Sequence, residues 1–283
     1  MKKYFSFIKF SHTVFALPFA VIGYFLAVSQ PQYFFSWKLF LLVIACMITA
    51  RSAAMGFNRY ADRFIDAKNP RTLMREIPAG KISSLAALLF VILFSVLFVV
   101  CTYFINPLCF YLSPVALAVV LGYSYTKRFT PLAHIILGVG LSLAPIGAYL
   151  AVTGEFSLLP VLFSLTVLCW VSGFDIIYAL QDEEFDKAEK LFSIPSAIGK
   201  KNALMISRLL HFSAAVFLIS AGVIGNFGIE YALGAFIFIS LLFYQQQLVK
   251  PNDLSKVNLA FATTNGIASI VFSIFVLTDL FLN

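Results

Sequence analysis

Apolar residues run along this chain in long unbroken stretches, and the segment 85–100 carries no charge at all. About 20 such residues cover the ~30 Å hydrocarbon core of a bilayer as a helix. Nine stretches qualify, at roughly 12–29, 36–57, 84–105, 107–125, 132–152, 158–181, 203–225, 229–248 and 257–280. None shows the strict alternation that a lipid-exposed barrel strand needs, so helices are the expected spanning form. The pattern predicts an all-α integral membrane protein in which residues 1–283 form a single membrane domain, with no sizeable soluble part.

Charge tests this layout independently, because Lys and Arg favour the cytoplasmic side and therefore alternate loops. Lys2, Lys3 and Lys9 precede span 1; Arg59 to Lys81 hold six basic residues after span 2; Lys127 and Arg128 follow span 4. Lys187, Lys190, Lys200 and Lys201 follow span 6, and Lys250 and Lys256 follow span 8. Lys38, at the outer end of span 2, is the exception. The N-terminus and the charged loops are thus expected in the cytoplasm and the C-terminus outside. In 283 residues, 61% are hydrophobic and only 12% charged, about half the share of a soluble domain. The net charge of +7 follows from the topology bias and from attraction to anionic lipid, which argues against nucleic acid as a partner. Cys46, Cys101, Cys109 and Cys169 fall in apolar spans and read as packing residues, not a disulfide framework. His12, His134 and His211 are scattered and do not suggest a His-based metal site.

The costly residues gather after spans 2 and 6. Residues four apart share a helix face, so Asn58, Asp62 and Asp66 form one polar stripe and Tyr178, Asp182 and Asp186 another. Arg51 and Asp175 lie seven residues earlier, about two turns deeper in the membrane. Ionisable groups at that depth cost about 2.5 to 3.5 kcal/mol or more, so both should face a polar cavity or each other. Facing carboxylate stripes suit a hard cation, above all Mg²⁺, which shares its shell with water and substrate phosphates. Arg71, Arg75, Lys127 and Arg128 lie on the same side and can balance the remaining phosphate charge. Glu183, Glu184, Glu189 and Lys190 read instead as a solvated helix end.

At these residues the chain resembles the UbiA superfamily, particularly its 4-hydroxybenzoate polyprenyltransferase branch. Segment 58–66 is similar to an NDxxDxxxD motif, with Arg59 where Asp is common; segment 175–186 is similar to DxxYAxxDxxxD. Segments 71–80 (RTLMREIPAG) and 123–130 (YSYTKRFT) extend the resemblance. It implies a ring of helices around a central cavity and Mg²⁺ between the motifs, with Asn58, Asp62, Asp66, Asp182 and Asp186 as the metal set. It also implies a polyprenyl diphosphate donor and a small aromatic acid acceptor in the bacterial inner membrane, with the site on the cytoplasmic side. On this reading Arg51 holds the acceptor carboxylate and Tyr178 lines its pocket. Asp175 pairs with Arg51, orients the acceptor hydroxyl or takes the ring proton. The acceptor is 4-hydroxybenzoate or, alternatively, a naphthoate of menaquinone synthesis. A transporter is the competing class, because carriers also bury charges and break helices at midplane; Pro145 and Gly147 in span 5 have no clear counterpart.

Overall fold

The computed structural model describes residues 2–8 and 15–282. A short α1 (Lys2–Phe7) precedes α2 (Leu17–Val28) and α3 (Trp37–Ala61); a single turn, α4 (Arg63–Asp66), follows. Then come α5 (Ser84–Tyr103), α6 (Pro107–Thr126), α7 (Ala133–Thr153) and α8 (Leu158–Ala179), with the short α9 (Glu183–Ala188) behind it. The chain ends with α10 (Ile194–Ile224), α11 (Ile229–Leu248) and, after a π-helical turn at Leu259–Thr264, α12 (Asn265–Leu282).

Among the described residues eight helical segments are long and apolar enough to cross a membrane, and α2 is a shorter apolar helix. The 12 residues of α2 rise only about 18 Å; the expected start of span 1 at residue 12 lies outside the described residues, as do Lys9 and His12. The seventh span differs more. Its helix begins at Ile194, not near 203, because Ser193 and Ser196 form a capping box and Pro195 suits the first turn. Hydropathy misses these first polar turns. They bend away at Gly199, whose φ of 78° and ψ of 162° only glycine adopts readily.

The helices close into a ring in which α3, α6, α7, α8, α10, α11, α12 and α2 each touch the next, and α2 returns to α3. Lipid tails are as apolar as leucine, so close approach has to come from small residues. Gly23 of α2 lies so near α7 that a Cβ there would stand 2.0 Å from the Pro145 carbonyl oxygen. Despite Pro145, α7 is continuous from Ala133 to Thr153, so it lacks the midplane break of a carrier helix. Phe19, Phe163, Trp170, Phe238 and Phe272 fill the core between α2, α8, α11 and α12. The π-helical turn leaves carbonyls to be satisfied inside the membrane: Gln245 donates to the Ala260 oxygen at 2.5 Å and Asn265 to that of Phe261 at 2.9 Å. Trp170 locks Asn265 through an indole N–H bond of 2.8 Å. Phe261 is thereby set against Tyr178, ring centroids 4.2 Å apart, at the wall of the central cavity.

Candidate active site

Both acidic segments bend at a carboxylate. Helix α3 stops at Ala61, Asp62 takes φ −91° and ψ 3°, and α4 restarts at Arg63. Likewise α8 gives way to a 3₁₀ turn at Leu180–Asp182, where Asp182 takes φ −104° and ψ 1° before α9. This sparsely populated bridge region is a frequent home of active-site residues. The expected stripe survives its bend, since the Asp62 N–H donates to the Asn58 carbonyl at 3.0 Å and the Asp66 N–H to that of Asp62 at 2.7 Å.

The two segments meet. Asp62, Asp66, Asp182 and Asp186 line one cavity of about 140 Å³ with Asn58. Arg71, Arg75 and Lys127 line it too. Each base already holds an acid. Lys127 donates to Asp62 at 2.5 Å and Arg128 to its other oxygen at 3.2 Å. Arg75 grips both oxygens of Asp66 at 2.7 and 2.9 Å. Arg71 forks onto Asp182, its Nε at 2.9 Å from Oδ1 and an Nη against Oδ2, and donates to the Tyr178 hydroxyl at 2.8 Å. Burial opposes the Arg71 charge, but the bonds to Asp182 and Tyr178 outweigh it and hold this guanidinium above the ordinary arginine range. Asp186 accepts from the Ser193 hydroxyl at 2.7 Å. Among the described residues no three His, Cys, Asp or Glu side chains converge closely enough to enclose a metal ion by themselves.

A second cavity of about 550 Å³ shares Asn58, Arg71, Arg75, Lys127, Asp182 and Asp186 with the first and continues inward to Arg51 and Asp175. Its inner wall is apolar, formed by Leu137, Leu141, Val171 and Phe174. Arg51 has no ion pair among the described residues, and its Nε is buried without an acceptor. Asp175 pairs instead with His134, whose Nδ1 lies 2.7 Å from Oδ2. The backbone N–H of Ile194 points at His134 Nε2 from 3.4 Å, which leaves the ring proton on Nδ1 facing the carboxylate. Glu183 departs from the expected solvated helix end: it is 8% exposed and bonded to Lys187 at 2.6 Å.

The family profile of the UbiA prenyltransferases matches residues 16–272, nearly the whole chain. The chain belongs to the UbiA prenyltransferase family. A UbiA relative from Tolumonas auensis, a 4-hydroxybenzoate octaprenyltransferase, is 30% identical over 84% of this chain and 83% of its own length. The solved apo structure of a UbiA homolog from Aeropyrum pernix K1 is 31% identical, with a TM-score of 0.86 over 95% of this chain and 98% of that one. A UbiA homolog from Archaeoglobus fulgidus, bound to DMAPP and Mg²⁺, shares the fold at 21% identity, with a TM-score of 0.77 over 99% of this chain and 100% of that one.

Three residues of this UbiA site carried no usable sequence signal. His134 opens α7 as an isolated histidine, and only the packing of α7 on α8 reveals its partner. Asn69 donates to Asp182 at 3.0 Å from a loop, and Ser193, the N-cap of α10, donates to Asp186 at 2.7 Å.

Proposed function

We propose that this membrane prenyltransferase joins a polyprenyl group from an allylic polyprenyl diphosphate to a hydroxylated aromatic acid, 4-hydroxybenzoate first, at the carbon ortho to its hydroxyl. One observation carries the reading: a single cavity joins the cluster of acids and bases to Arg51, whose buried Nε has no acceptor and which has no ion pair among the described residues. The relatives' names and the DMAPP and Mg²⁺ bound to the Archaeoglobus homolog support the same substrates.

In this reading the allylic C–O bond breaks, diphosphate leaves with the electron pair, and a ring carbon forms the new C–C bond and gives up its proton. The donor set of four carboxylates and Asn58 fits Mg²⁺, which needs only one or two carboxylates when water and phosphate oxygens complete its shell. When bound, Mg²⁺ supplies positive charge against the departing diphosphate. Asp62, Asp66, Asp182 and Asp186, with Asn58, would hold it directly or through water. Arg71, Arg75, Lys127 and Arg128 shift part of their bonding from carboxylates to phosphate oxygens and neutralise the leaving group. Arg51 takes the acceptor carboxylate, and Tyr178 lines the passage between donor and acceptor. Asp175, engaged by His134 and not by Arg51, accepts from the acceptor hydroxyl and orients the ring. The apolar inner wall keeps water from the cation.

Incubating membranes with one long prenyl diphosphate and a panel of 4-hydroxybenzoate, hydroxynaphthoates and their decarboxylated counterparts tests the acceptor. Prenylated carboxylic acids are the expected products. Preference for the decarboxylated phenols would remove Arg51 from its role, and preference for a naphthoate would move the chain to menaquinone synthesis. His134 is a positioning residue here: His134→Ala loses a hydrogen bond to a carboxylate and should lower kcat by about one order of magnitude, with a smaller change in acceptor KM. Equal kcat in the variant would detach His134 from the reaction.

The chain works as one membrane domain with its N-terminus and site in the cytoplasm, as the distribution of Lys and Arg supports. Cysteines introduced near Asn69 or Lys190 should resist an impermeant thiol reagent added outside sealed cells. Labelling there from outside would invert the topology.

A further inference from the structure

Arg59 differs from Arg71, Arg75, Lys127 and Arg128, each of which holds an acid. It is 4% exposed, lines the larger cavity, and makes no ion pair or side-chain hydrogen bond among the described residues. Its Nε is buried without an acceptor. The charged groups around it are Arg75, Asp66 and Glu76, with the Tyr123 hydroxyl close by. Neither acid bonds to it: Asp66 is held by both bonds from Arg75, and Glu76, with no ion pair among the described residues, accepts from the Ser6 hydroxyl at 2.6 Å. A buried cation next to another cation, with no acid bonded to it among the described residues, can take an anion that arrives from outside. The anion belongs at the phosphate end of the cavity, since Arg75 is its neighbour and Arg51 lies eight residues, about two turns, deeper.

We propose that Arg59 binds the diphosphate group of the prenyl donor directly, through the planar N–H face of its guanidinium, and so reduces the dependence of donor binding on divalent cation. The inference rests on the prenyl diphosphate reading above. Its physical basis is charge reversal within the first motif. A carboxylate at this position, as in the motif the segment resembles, reaches a phosphate only across a cation, whereas a guanidinium needs no intermediary. Of the motif residues on either side of Arg59, Asn58 lines both cavities and Asp62 the smaller one.

The test is equilibrium binding of a non-hydrolysable allylic thiodiphosphate to the purified full chain in detergent, by calorimetry, with and without Mg²⁺. The wild type should keep measurable affinity in chelator. Arg59→Asp should lose about 100-fold or more in chelator yet return to within about tenfold of wild type at saturating Mg²⁺, because the new carboxylate recruits cation. Arg59→Lys should fall between the two. A purely structural arginine would change stability or all affinities together and leave the Mg²⁺ dependence alone. Where Arg59→Asp does not fold, Arg59→Gln carries the same comparison, with the loss in chelator retained. Unchanged Mg²⁺ dependence in the folded variants would overturn the assignment of Arg59. A wild type that binds the analogue under neither condition would overturn the prenyl diphosphate reading itself.

Discussion

Alanine in place of Asp62, Asp66, Asp182 or Asp186 is expected to lower turnover by about two orders of magnitude or more, with the protein still inserted in the membrane. In the proposed site each substitution removes an oxygen ligand for Mg²⁺ or its water; those at Asp62, Asp66 and Asp182 also free a base from its carboxylate, and that at Asp186 frees the Ser193 hydroxyl. Asp182 should be the most sensitive, because Arg71, Asn69 and, through Arg71, Tyr178 are all arranged around it. Asp62 is 1% exposed and bonded to two bases, so its loss strands buried positive charge and risks stability; Asp62→Asn separates that effect from catalysis. Glu184, an exposed residue of α9, serves as the control and should tolerate alanine. Diphosphate release measured against Mg²⁺ concentration in membranes checks the set. Four variants with near-normal, Mg²⁺-dependent turnover would remove the carboxylates from the metal site.

Arg51→Ala should raise the acceptor KM by about one to two orders of magnitude, the effect of losing a charge-assisted contact of roughly 1.5 to 3 kcal/mol made in ground and transition states alike. The pairing of Asp175 with His134 makes this variant cleaner than an Arg51–Asp175 pair would allow, because its removal leaves no carboxylate without a partner. Arg51→Lys restores charge without the planar fork and should recover part of the loss. Donor KM is the control. A variant with an unchanged acceptor KM and weakened donor binding would move Arg51 to the diphosphate end of the cavity.

The spans and the acidic motifs were legible because both depend on local chemistry: continuous apolar runs have one solvent that suits them, and a four-residue spacing has one face of a helix. The bend at Asp62 was not legible, since i to i+4 bonds carry the polar register across it, and neither was the 3₁₀ turn at Leu180–Asp182. The polar start of α10 escaped hydropathy for a related reason: its capping box and Pro195 extend a helix beyond the apolar run. Long-range pairing was the least accessible. Arg71, Arg75, Lys127 and Arg128 were readable as phosphate ligands, yet nothing in their spacing shows that they hold the very carboxylates expected to bind metal. His134 shows the same limit, because its role depends on which helix α7 packs against.

In the proposed reaction one cavity couples loss of diphosphate to formation of a carbon–carbon bond. Its most direct measurement is the stoichiometry of diphosphate to prenylated aromatic acid in membranes given Mg²⁺, a long prenyl diphosphate and 4-hydroxybenzoate, with product mass and ring position determined together. One diphosphate per product is expected, with the prenyl group on the carbon ortho to the hydroxyl, and neither product without Mg²⁺. Diphosphate release with only free prenyl alcohol, or movement of the aromatic acid across the membrane with no new bond, would contradict it.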